Sequence, residues 1–190
     1  SMGSVSGSIT SGVTQSLLGS SLIAGGGPYR QLVVQGLFSL MIQDILNDRP
    51  KVETELLLAF IQTMLDAGDP ITCLRRYEDD LKKPMDVLVW ESIGDPVVNN
   101  PATDLQAIEI GCQLANPGDH AVDGMTGVDL PASGNFGWEG VSGKATRVLV
   151  HREYPDVQGP QLHMEPFLDM YVHDRAAACF GGRLTGGVCT

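Results

Sequence analysis

A serine, an aspartate and a histidine occur in that order along the chain, each beside residues that suit a reacting group. Ser1 is followed by Met2 and Gly3; Asp95 sits in Gly94-Asp95-Pro96-Val97-Val98; His163 sits in Leu162-His163-Met164. A hydroxyl attacks a carbonyl efficiently when a base takes its proton. The base in turn needs a carboxylate to hold its tautomer and orientation. Ser1, His163 and Asp95 can supply these three parts. Gly3, two residues past Ser1, is the small neighbour that a strained strand-to-helix turn requires. The chemistry so defined is cleavage of a carboxylic ester through an acyl intermediate.

The elements that must position these residues are legible as runs of apolar residues. Asp95 follows the run Asp86-Val87-Leu88-Val89-Trp90, and His163 follows Ala145–Val150 after a loop rich in proline and glycine. Near-continuous apolar runs of this length predict strands buried on both faces, as in a parallel sheet. Reacting groups gather at the carboxyl ends of such strands. The remaining histidines are less well placed. His120 falls in a long irregular segment, His151 at a strand end and His173 inside a predicted helix, and they read as surface or core residues. A carboxylate such as Asp95 also caps turns and helices, so that role stands beside the catalytic one.

The spacing of apolar residues predicts a helix over Gly3–Leu18, with Val5, Ile9, Val13, Leu17 and Leu18 inward and small residues on its other faces. A short strand ends in Gly25-Gly26-Gly27. Helices follow over Pro28–Leu46 (Leu32, Val33, Leu37, Leu40, Met41 and Ile45 in one stripe) and Val52–Leu65 (Leu56, Leu57, Phe60, Ile61 and Met64 inward). Residues 75–83 read as a charged, solvated surface. A strand is expected over Met85–Ile93 and a helix over Pro101–Leu114. Residues 116–143 are irregular, the last core strand covers Val148–Val150, and a final helix covers Pro166–Ala178.

The order of these elements, with Ser, Asp and His in sequence, resembles the second half of an α/β-hydrolase of the lipase or esterase kind. The resemblance covers nearly the whole chain and rests on order and spacing. It implies an α/β fold, a partial α/β-hydrolase whose parallel strands carry flanking helices and a helical cap insertion. Residues 1–190 would form the C-terminal part of one such domain, with 28–84 as the cap or lid. It also implies a serine hydrolase with Ser1, Asp95 and His163 as its triad and Met2 as an oxyanion-hole donor. Gly26, Gly27, Leu37 and Met41 would face a small-molecule or lipid ester. The missing N-terminal half of the same fold is the implied partner; without it the chain would expose a raw sheet edge and be inactive or poorly folded. The alternative is a non-catalytic fragment or binding module that keeps the fold without the chemistry.

The 190 residues suffice for one domain with a substantial core. A formal net charge of −11 opposes binding to phosphate backbones, so no nucleic-acid partner is expected. No apolar run approaches the roughly 20 residues of a membrane helix. Gly25-Gly26-Gly27 lacks the following Gly-Lys-Ser/Thr of a phosphate loop, so no nucleotide cofactor is expected. Asp119, His120, Asp123 and Asp129 do not match the spacing of a calcium loop and read as a solvated segment, so no metal is assigned. The cysteines, Cys73, Cys112, Cys179 and Cys189, form no C-x-x-C pair. Cys179 with Cys189, and Cys73 with Cys112, are candidate disulfides that point to a secreted or cell-envelope protein. Four buried thiols are the other option.

Overall fold

The computed structural model describes residues 2–36, 39–76, 85–137 and 143–184. In chain order the elements are α1 (Met2–Val13), β1 (Gly19–Ile23), α2 (Tyr29–Gln35), α3 (Ser39–Asn47), α4 (Lys51–Leu65), a 3-10 turn (Asp66–Gly68) and α5 (Pro70–Arg76). Then come β2 (Asp86–Ser92), α6 (Asn100–Ile110), β3 (Gln113–Asn116), β4 (Gly127–Asp129), β5 (Arg147–Arg152), α7 (Gln161–Leu168) and α8 (Met170–Leu184). The strands form one all-parallel sheet in the order β1-β2-β5-β3-β4, which places the chain in the α/β class.

Strand β2 lies between β1 and β5, and all seven of its residues are buried. Successive side chains of a strand point to opposite faces. Val87 and Val89 therefore join Leu149, Ala107, Ile110 and Leu114 on one side of the sheet. Leu88 and Trp90 join Val148, Val150, Val172 and Cys179 on the other. The apolar run thus reflects helices covering both faces.

Helix α1 packs differently from its predicted stripe. Its buried face is Ser4, Val5, Ser8, Ser11 and Gly12, whereas Val13 and Leu18 are exposed, and the helix stops at Val13. The reason is closeness of approach. A Cβ on Gly12 would sit 2.0 Å from the carbonyl oxygen of Cys73 in α5. The buried serines satisfy themselves locally: Ser8 and Ser11 donate to the carbonyls of Ser4 and Gly7, and Ser4 donates to Ile23 O at the end of β1.

The region between β1 and β2 is helical, as expected, but in more pieces. Gly36 separates α2 from α3, because a side chain there would meet the Val97 carbonyl at 2.4 Å. In α4 the buried residue is Leu58, while Leu56, Phe60 and Met64 are exposed, reversing their predicted inward direction. This helix touches α2 along a narrow seam and so buries little of its apolar surface. Leu40 and Ile45 of α3 are also exposed. Asp69, fully buried, joins the pieces. Its Oδ2 accepts the Tyr29 N–H at 2.7 Å and the Gln62 side chain at 2.9 Å, and its Oδ1 accepts the Ile71 N–H at 2.8 Å.

The predicted irregular segment 116–143 contains β4, and β3 precedes it where the sixth helix was expected to continue. Gly111, at φ +74°, ends α6 early with a backbone N–H that reaches Ala107 O and Ile108 O. Cys73 and Cys112 are thiols, which corrects the option of a bridge between them: they sit in α5 and at the entry to β3, and the Cys73 thiol is directed at Ala67 O. Cys179 is buried in α8, and Cys189 lies outside the described residues.

Candidate active site

The turn after β2 is built to present Asp95. Gly94 adopts φ +78° and its N–H donates to Asn100 Oδ1, while Asn100 Nδ2 donates back to Ser92 O. Asn99 caps α6 by accepting the Ala102 N–H at 3.0 Å, and Pro101 occupies the first turn, where its missing N–H costs nothing. Asp95 Oδ1 accepts the N–H groups of Val97 at 2.7 Å and Val98 at 3.2 Å. Its second oxygen, Oδ2, accepts from His163 Nδ1 at 2.6 Å. One carboxylate therefore does both tasks weighed in the sequence, closing the turn and holding an imidazole.

His163 reaches that position from the first turn of α7, rather than from the loop before the last helix as expected. Ser92 Oγ donates to Leu162 O at 2.9 Å, tying the end of β2 to the residue before His163. Both side chains of the pair are buried. With Nδ1–H given to Asp95, the ring's Nε2 is the atom available to accept a proton. A buried, short, charge-assisted bond fixes both the tautomer and the orientation of the ring.

The remaining predicted site residues divide. Ser1 and Leu37 lie outside the described residues. Met2 is the first residue of α1, and Met41 lies in α3. Gly26 and Gly27 are buried against protein. Added Cβ atoms would meet Ala102 and Val98 at about 3 Å from Gly26, and Ile71 at 2.9 Å from Gly27. The close approach that these glycines permit is to α6 and α5.

Two further groups escaped the sequence reading. Arg152 and Tyr154 both reach Asp169 Oδ2, at 2.6 Å from Arg152 Nη2 and 3.0 Å from the Tyr154 hydroxyl. Burial, reinforced by the Asp169 carboxylate, pushes the Tyr154 phenol up to about 12. Burial alone would raise Asp169, but hydrogen bonds from Arg152, the Tyr171 N–H and Tyr154 together hold it below the usual carboxylate range. The second group is Glu91, His151, Asp104 and His120, drawn from β2, β5, α6 and the segment after β3. Burial pushes the Glu91 carboxyl up despite its neighbour His151. No signal in the sequence links these four residues, because they meet through strand register and helix packing.

Comparison with known proteins returns no matching family model, no matching curated protein and no matching solved structure. Among the described residues, no helix is long and apolar enough to cross a membrane. The fold and the geometry of the residues themselves therefore carry the functional argument.

Proposed function

We propose that the chain carries the acid and base of a serine hydrolase acting on carboxylic esters. His163 is the general base, Asp95 orients it, and Ser1 is the nucleophile. The observation that carries this reading is the buried 2.6 Å bond between His163 Nδ1 and Asp95 Oδ2, at the carboxyl end of a central parallel strand. A histidine so held takes the hydroxyl proton at Nε2 and returns it to the leaving alcohol, while the carboxylate stabilises the imidazolium. Water then attacks the acyl-enzyme with help from the same base. The Met2 N–H supplies one oxyanion contact in this scheme. The strand leading into Ser1, from an N-terminal half of the same fold, would pair with the open edge of β1. Helices α2 to α4 would form the cap over a small-molecule or lipid ester.

The test is labelling by a fluorophosphonate probe, on this chain and on the longest natural product that contains it. Labelling of the longer protein that both Ser1→Ala and His163→Ala abolish is the expected result. A folded longer protein that does not label, or labels equally in both variants, removes the hydrolase reading.

A further inference from the structure

We infer that Glu91, Asp104, His120 and His151 form a binding site for a divalent transition-metal ion, with zinc the best match. The site is separate from the Asp95–His163 pair and does not rest on the hydrolase reading. Its origin is strand parity. Glu91 in β2 and His151 in β5 are register partners, so their side chains leave the sheet side by side on the face that α6 covers. Asp104 comes from α6 itself. His120, from the segment following β3, stacks its ring on that of His151 at 4.3 Å between centroids and 17° between planes.

Four donor atoms, one from each residue, lie within 4.8 Å of one another. His120 Nε2 is 3.2 Å from Asp104 Oδ2, and His151 Nε2 is 2.9 Å from Glu91 Oε2. In a tetrahedral site with metal bonds of about 2.0–2.1 Å, neighbouring ligand atoms are separated by about 3.3–3.4 Å. Both pairs are already near that separation. Two imidazoles with two carboxylates make a set of borderline and hard donors suited to zinc and its first-row neighbours, and the two negative charges match one divalent ion.

The second observation is unmet bonding capacity at the same place. Glu91 is 1 % exposed, and its carboxylate makes no well-formed hydrogen bond among the described residues, only the close 2.9 Å approach of His151 Nε2 to Oε2. Asp104 Oδ1 is likewise without a hydrogen-bond partner. A buried carboxylate in that state is costly unless it is paired or coordinates a metal. Asp104 also lines a surface hollow of about 490 Å³ together with Leu105, Val122 and Asp123, so one member of the cluster borders solvent-accessible space.

Binding requires two local changes. His151 Nδ1 now accepts the Asp119 N–H at 3.0 Å, which places the ring proton on Nε2. Coordination through Nε2 moves that proton to Nδ1, so the Asp119 amide must turn away. The two rings must also splay from their stack. Both changes fall on the segment after β3, where His120 is already partly exposed. Because all four ligands come from the protein, a closed four-coordinate ion here is structural, joining β2, β5, α6 and that segment.

The test is titration of the chelator-stripped full chain with Co²⁺, followed by displacement with Zn²⁺. The expected result is one equivalent of Co²⁺ with the visible bands of tetrahedral coordination, abolished by Zn²⁺, and a shift of the Asp119 amide resonance. His120→Ala and Glu91→Gln should each weaken binding by more than ~100-fold, beyond the 10–100-fold typical of outer-shell changes. His120 is exposed enough for its variant to fold, so it decides the matter alone if Glu91→Gln does not. Binding of less than a tenth of an equivalent overturns the inference, as does wild-type affinity in His120→Ala.

Discussion

Replacing Asp95 separates its two tasks. In Asp95→Asn the amide oxygen can still accept from Val97 and Val98, while the NH₂ group now faces His163 Nδ1. Nδ1 must then accept, and the ring proton moves to Nε2. One charge-assisted bond, worth about 1.5–3 kcal/mol, is exchanged for a neutral one worth about 0.5–1.5 kcal/mol. The stability loss should therefore be about 1 kcal/mol. Asp95→Ala instead strips three donors of their acceptor, at about 1–3 kcal/mol for each that stays buried. Because the Val97 N–H can recover water, we expect about 3–5 kcal/mol. Denaturant unfolding measures both losses, and ¹⁵N spectra of the imidazole read the tautomer directly. If the hydrolase reading holds, Asp95→Asn also slows probe labelling by about 10⁴-fold, as for the corresponding change in a serine protease. Equal losses in the two variants, or an unchanged tautomer in Asp95→Asn, would refute the division of labour between Oδ1 and Oδ2.

Three other expectations can be checked on the same chain. Gly12→Ala should cost about 3 kcal/mol in chemical unfolding, since its Cβ meets the backbone of Cys73 and α1 must move off α5. Gly94→Ala should cost only about 1–2 kcal/mol, because its nearest neighbour, Leu162, is at an ordinary 3.7 Å and the strain lies in φ +78°. Ultraviolet titration should find one tyrosine with a midpoint of about 12 that falls in Asp169→Asn. The folded state holds that phenol proton more tightly than the unfolded chain, so stability should decline as pH rises from about 10 towards 12. Asp169 has the opposite sign: its folded value is depressed, so its contribution is present above the unfolded carboxylate range and disappears as pH falls through the folded value.

The parallel strands β2 and β5 were legible because burial on both faces leaves an uninterrupted apolar run. The Asp95 turn was legible because Gly94 and Pro96 restrict the backbone there. By contrast, the four-residue β3 and three-residue β4 are too short to show a period, and they were absorbed into a helix and a loop. Helix α1 misled through its serines. Their hydroxyls bond to the preceding turn or to β1, so they can be buried where an apolar stripe was expected. Helix α4 misled in the other direction, since an apolar stripe records only that a face avoids water somewhere, not that this chain covers it. Pairing of His163 with Asp95 was expected from order alone. The Glu91 cluster could not be, because its members are ordinary singly and converge only once β2 and β5 are in register.

Asp69 has a consequence for how the chain can vary. It accepts the Tyr29 N–H across 40 residues of sequence, and its other oxygen starts α5, which packs against α1. The entrance and exit of the helical insertion are thus stitched together at one buried carboxylate. Within that closed base α2 is held a second time, by Leu32, which packs with Val5, Val98 and Ala102, and by the Gln31 carbonyl, which accepts from the Asn99 side chain. The piece free to be lengthened, shortened or replaced is α3 with the turn into α4, because Gln62 of α4 also bonds Asp69 and α2 is tied to α6. Diversity in what the chain accommodates can therefore accumulate around α3, while α2 stays fastened to the turn that presents Asp95.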